Sequence, residues 1–156
     1  MKPVSLWLNE YAESHQHPLN IKIHTICVPL IMLSLVALLS TISIEIELLQ
    51  NFYNLNHLGI ILVALALVYY FFLSIPFFVG MIPVSFLLIL GTQWLDSFST
   101  PLWKLSLLIF VVAWIGQFYG HKIEGKKPSF FKDIQFLLIG PIWLLSKLYS
   151  RYGISY

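Results

Sequence analysis

The chain has 156 residues, 58% of them hydrophobic and only 10% charged, with a formal net charge of +2. Soluble domains carry about 25% charged residues, so too little polar surface exists to cover a water-exposed globule, and an integral membrane protein is the natural class. The net charge is too small to indicate a nucleic-acid partner, and the lone cysteine, Cys27, forbids an internal disulfide.

Residues 1–156 are expected to form a single membrane-embedded helical domain, with no room for a separate soluble one. No basic-then-apolar signal peptide opens the chain, because Met1 to Asn20 is polar and aromatic and holds Glu10 and Glu13. Val4 to Ser14 reads as a short amphipathic helix: Trp7, Leu8 and Tyr11 share one side, and Asn9, Glu10 and Glu13 are polar. Pro18 should interrupt it and start the next helix. Asn20 and His24, four residues apart, then share a face of that helix, and His15 can fold back towards them.

Ile26 to Ile44 is the first predicted span, with no charge in its length and Pro29 near its start. Glu45 and Glu47 end it, and Gln50 to His57 form a polar loop. The second span is Leu58 to Leu73, followed by a break at Ser74-Ile75-Pro76, and the third is Phe77 to Leu95. A loop at Asp96 to Pro101 precedes the fourth span, Trp103 to Tyr119. The segment Ile134 to Tyr149, which contains Gly140-Pro141, is short for a span and reads as an interfacial or half-inserted helix.

The expected fold is thus an all-α integral membrane protein: four transmembrane helices, an N-terminal amphipathic helix and a C-terminal interfacial one. Lys2 and Lys22 precede the first span, and Lys122, Lys126, Lys127, Lys132, Lys147 and Arg151 follow the fourth, whereas Lys104 lies on the other side. Cations collect on the cytoplasmic side, and an even span count places both termini there. Lys126 and Lys127 suit anionic headgroups. The membrane is expected to be a bacterial inner membrane or the endoplasmic reticulum.

Two polar clusters carry whatever chemistry exists. Ser14 to His24 holds His15, His17 and His24 with Asn20. Downstream, Gln117, His121 and Glu124 fall at i, i+4 and i+7, one face of a helix continuing past the membrane end, with Gly125 and Pro128 as its exit. Four spans bring both clusters to one side of the bilayer. Histidines from two elements with a nearby carboxylate suit a first-row transition metal: non-haem Fe(II) in oxygen chemistry, or zinc. Asn20 and Gln117 fit the role of orienting a ring or a bound water. His17 is expected to face away, and His57, on the opposite side, to be interfacial.

No phosphate-binding glycine loop, Gly-x-Ser-x-Gly elbow or Cys-x-x-Cys pair is present. A zinc-dependent lipid hydrolase and a non-enzymatic scaffold or transporter are the competing readings. Spans with almost no buried charge argue against an ion pathway.

The motifs His15-x-x-Pro18-x-Asn20-x-x-x-His24-x-x-x-Val28-Pro29 and Gln117-Phe118-Tyr119-Gly120-His121-Lys122-Ile123-Glu124-Gly125-Lys126-Lys127-Pro128 resemble a family of small multi-pass membrane proteins. That family is typified by the yeast endoplasmic-reticulum 2-hydroxy fatty acid dioxygenase. The resemblance implies an Fe(II)-dependent enzyme that uses O2 to shorten 2-hydroxy fatty acids by one carbon, in alpha-oxidation. It implies metal ligation by His15, His24 and His121, with Glu124 as a further ligand or a base. Ile142 to Lys147 departs from the pattern, having no glutamate where relatives often carry one.

Overall fold

The computed structural model describes residues 3–44, 56–125 and 130–156, with the backbone alone for 130–135. Glu45, Glu47, most of the polar loop before His57, Lys2, Lys126, Lys127 and Pro128 lie outside the described residues. Six helices make up the described fold: α1 (Val4–Glu13), α2 (Pro18–Ser40), α3 (Leu58–Leu73), α4 (Ile75–Asp96), α5 (Leu102–Glu124) and α6 (Phe130–Tyr152). An isolated bridge between Ser43 and His57 is the only extended pairing among the described residues.

The start of α2 follows from local chemistry. Pro18 occupies the first helical turn, where its missing N–H costs nothing, and the ring Nδ1 of His17 accepts the Leu19 N–H at 3.2 Å as an N-cap. The helix begins eight residues before the predicted span and stops at Ser40, short of Ile44. Pro29 therefore lies well inside it rather than near its start. At the far end the His57 ring caps α3 by accepting the Ile60 N–H. Only Ser74, in extended backbone, separates α3 from α4.

α2, α4 and α5 are each long and apolar enough to cross a membrane, whereas α3 has 16 residues. At 1.5 Å per residue α3 is about 24 Å long, against ~30 Å of hydrocarbon. α6 has 23 residues, more than the Ile134 to Tyr149 segment expected, and runs through Gly140-Pro141 without a break.

Close contacts give the helix directions. Gly59 at the start of α3 meets Ser40 and Val36 at the end of α2, and Gly91 near the end of α4 meets Leu33 of α2. Gly116 and Gly120 near the end of α5 meet Cys27 and Asn20 near the start of α2. α2 and α4 therefore run one way, α3 and α5 the other. The start of α2, the α3–α4 junction and the end of α5 share one end of the bundle.

α1 and α6 pack across that end. Leu8 and Tyr11 of α1 join Tyr70, Phe77, Met81, Ile139, Ile142, Trp143 and Tyr149 in the main apolar core. Two tyrosine hydroxyls pin α6 to the α3–α4 turn: Tyr70 donates to the Leu138 carbonyl at 2.8 Å and Tyr149 to the Pro76 carbonyl at 2.7 Å. A smaller core of Cys27, Ile31 and Ala113 fills the seam between α2 and α5.

Candidate metal centre

That seam brings the two polar clusters together. α5 presents Gly116 and Gly120, four residues apart, to α2. A Cβ on Gly116 would stand 2.6 Å from the Cys27 Sγ, and one on Gly120 would overlap the Asn20 Oδ1. Small residues at this spacing let two helix backbones approach closely in a membrane, where helix contact depends on packing rather than on hydrophobicity. The residue after Gly120 is His121, so the close approach carries its imidazole to the start of α2.

His15, His24 and His121 converge there, with one ligand-capable atom from each lying within 4.8 Å of the others. Ring centroids are 4.1 Å apart for His15 and His24, 5.0 Å for His24 and His121, and 5.4 Å for His15 and His121. His15 and His24 are buried, at 4% and 2% exposure. The link between α1 and α2 supplies His15, α2 supplies His24 and the last turn of α5 supplies His121.

Hydrogen bonding makes the His15 ring a ligand in waiting. Its Nδ1 lies 2.6 Å from the Tyr11 carbonyl oxygen, which only accepts, so Nδ1 carries the proton. Burial pushes the His15 pKa down to about 4, against the opposing pull of that backbone bond. The ring is neutral at physiological pH and its Nε2 offers a lone pair.

That Nε2 lies 3.0 Å from His24 Nδ1, which also lies 3.2 Å from the Tyr11 hydroxyl. His24 Nε2 is buried and has no hydrogen-bond partner. If His24 carries its proton on Nδ1, a lone pair is stranded at Nε2. If it carries the proton on Nε2, a donor is stranded and two lone pairs face each other at 3.0 Å. Leaving a buried polar atom unsatisfied costs about 1–3 kcal/mol, and a cation drawing on the ring lone pairs relieves the conflict. Three imidazoles, two of them buried and one half-buried, fit a first-row transition metal.

Glu124 is engaged differently from the ligand expectation. Its Oε1 accepts the Gln16 N–H at 2.8 Å, and its Oε2 accepts the His17 N–H at 2.9 Å and the Asn20 side-chain amide at 3.0 Å. The first N–H groups of a helix have no partner within it, and the chain entering α2 aims its amides at this carboxylate. Asn20, fully buried, also donates to the Ser14 carbonyl at 3.2 Å. Glu124 and Asn20 thus bolt the end of α5 to the start of α2, next to the three histidines.

Gln117 is buried one helical turn before His121. His17 is exposed and spends its Nδ1 on the α2 cap, outside the converging set, and His57 lies at the far end.

Some contributors were not singled out from the sequence. Tyr11 stacks on His15 with centroids 4.1 Å apart and planes 3° from parallel. Gly140 of α6 packs against the Tyr11 hydroxyl, with a Cβ there 3.0 Å from it, and the Trp143 ring lies 5.3 Å from His15. The Gly-x-x-x-Gly spacing was readable, as was Tyr11 one turn before His15; nothing in the sequence indicated that α6 roofs the site.

The model of a family described as "2-hydroxy-palmitic acid dioxygenase Mpo1-like" matches residues 1–152. The chain is 28% identical over 148 residues, 94% of its length and 79% of the relative's, to the 2-hydroxy-palmitic acid dioxygenase MPO1 of Saccharomyces cerevisiae. No solved structure matches. With that match running from end to end and taking in all three converging histidines, the chain belongs to the Mpo1-like family.

Proposed function

We propose that this protein is a membrane-embedded dioxygenase that shortens 2-hydroxy fatty acids by one carbon, with Fe(II) held by His15, His24 and His121. The observation that carries the reading is the convergence of three buried or half-buried imidazoles from separate elements at one end of the bundle. The name of the yeast relative supplies the substrate class. α2 to α5 form four spans, α3 reaching across with its polar caps. Both termini lie on the cytoplasmic side, where Lys22, Lys122, Lys147 and Arg151 gather while Lys104 sits at the opposite end.

Fe(II) supplies the capacity to react with O2, which side chains lack. The protein's own residues do the rest. Tyr11, through its carbonyl, holds His15 with Nε2 facing inward. Glu124 and Asn20 hold α5 against α2, which keeps His121 in reach of His24. Tyr11, Phe136 and Trp143 cover the site with rings and exclude water. The acyl tail remains among the apolar helices. The stoichiometry closes with O2 as the sole oxidant: one 2-hydroxy acid and one O2 give the acid shorter by one carbon, CO2 and water.

The test is metal analysis of the detergent-purified protein, followed by O2 uptake after anaerobic Fe(II) loading. Uptake matching CO2 release is expected with 2-hydroxypalmitic acid and not with palmitic acid. The converging atoms include no carboxylate among the described residues, and a three-histidine set also suits zinc. Stoichiometric zinc without O2 uptake would support the hydrolytic reading, and no retained metal at all would support a scaffold.

The same reading makes Glu124 a positioning residue. Glu124→Gln replaces one accepting oxygen with an amide that faces backbone donors. Hydrogen bonds to a charged group are worth about 1.5–3 kcal/mol when buried, less here because Glu124 is half-exposed. A lower Tm and a several-fold loss of metal affinity are expected, with stoichiometric metal regained at higher concentration. Metal binding abolished at any concentration would make Glu124 a ligand instead.

A further inference from the structure

A cation stands beside the histidines with no part in holding them. Lys147 follows Trp143 by one turn of α6, and its Nζ lies 3.5 Å from the centroid of the Trp143 ring. Trp143 is buried, and its ring lies 5.3 Å from His15 and 5.1 Å from Tyr11. The ammonium is thus two ring contacts from the triad. The residue itself is exposed, so it marks the mouth of the site rather than its floor.

A cation there opposes the binding of a divalent metal, since like charges repel. The placement becomes favourable once an anion lies between the two positive centres. A 2-hydroxy acid brings such an anion, with a hydroxyl and one carboxylate oxygen able to face the triad and a second oxygen left over. Trp143 holds the ammonium by a single cation–π contact at an exposed position, weak enough for the lysine to pivot towards an arriving carboxylate.

We propose that Lys147, steadied on Trp143, is the positioning and specificity residue that pairs with the substrate carboxylate, so that the site takes free 2-hydroxy acids and rejects their neutral derivatives. This inference rests on the function proposed above. An anionic lipid headgroup offers the same kind of charge, and zwitterionic detergent removes that source from the experiment.

The test uses metal-loaded wild type, Lys147→Gln and Lys147→Arg in zwitterionic detergent. Binding of 2-hydroxypalmitic acid and of its neutral amide is measured anaerobically, and O2 uptake is then measured with the acid. Lys147→Gln is expected to weaken acid binding at least about tenfold, the loss of one well-placed charge pair. KM should rise with kcat little changed, while amide binding and metal content stay the same, and Lys147→Arg should restore most of the loss. Wild-type turnover with unaltered acid binding in Lys147→Gln would overturn the Lys147 assignment alone, as would equal losses for acid and amide. A wild type that neither binds nor turns over any 2-hydroxy acid would remove the proposed function itself.

Discussion

Replacing His121 with alanine is expected to remove the bound metal and all O2-dependent turnover while leaving the helices assembled. His121 is one of three donors, and two imidazoles without a further ligand hold a first-row ion poorly. Losing a group that merely orients a ligand costs 10–100-fold in metal affinity, so losing the ligand is expected to cost more than about 100-fold. The fold should tolerate the change because α5 meets α2 through Gly116, Gly120 and Ala113 rather than through this ring. Helicity by circular dichroism and elution from size exclusion should match wild type. Because the substitution leaves a space of imidazole size, millimolar imidazole is expected to restore part of the metal binding. Wild-type metal content in the variant would take His121 out of the site and leave the reaction without its third donor.

The three histidines were legible because their spacing and the span count pointed the same way. His15 and His24 flank a proline that must start a helix, His121 closes another, and an even number of intervening helices returns the chain to the same end of the bundle. The α5 continuation to Glu124 was legible as well, since Gln117, His121 and Glu124 keep one helical face beyond the apolar stretch. What Glu124 does was not. Periodicity puts its carboxylate on the histidine side of α5, but only the packing shows that the orphan amides of Gln16 and His17 stand opposite it. A helix terminus opposite a carboxylate is a tertiary fact, with no local signature.

α1 and α6 illustrate the same limit. Trp7, Leu8 and Tyr11 form an apolar side by spacing, which suits a bilayer surface as well as a protein partner. In the fold Leu8 and Tyr11 are buried against α6, and Tyr11 lends both its carbonyl and its hydroxyl to the histidines. α6 continues through Gly140-Pro141, and the missing Cβ at Gly140 is what admits the Tyr11 hydroxyl. α3, by contrast, keeps the predicted bounds, Leu58 to Leu73.

Gly120→Ala is expected to damage the metal site without touching a ligand. The added Cβ would overlap Asn20 Oδ1, and Asn20 is fully buried with its amide committed to Ser14 and Glu124. Either Asn20 turns away and the clamp to Glu124 opens, or α5 moves off α2 and takes His121 with it. Overpacking of this kind costs about 1–3 kcal/mol, so metal affinity should fall on the order of 10–100-fold and turnover with it. Asn20→Ala opens space but loses the clamp. Gly120→Ala in that background should therefore cost much less than in wild type, a coupling of the kind contacting residues show in a double-mutant cycle. Gly125→Ala is the contrasting case: a Cβ there meets nothing within 4 Å, and its left-handed φ of 71° strains only the helix end. That variant should lose some stability and keep its metal affinity. If Gly120→Ala binds metal like wild type, or if its loss is the same with and without the Asn20 side chain, close approach at Gly120 is not what delivers His121 to the site.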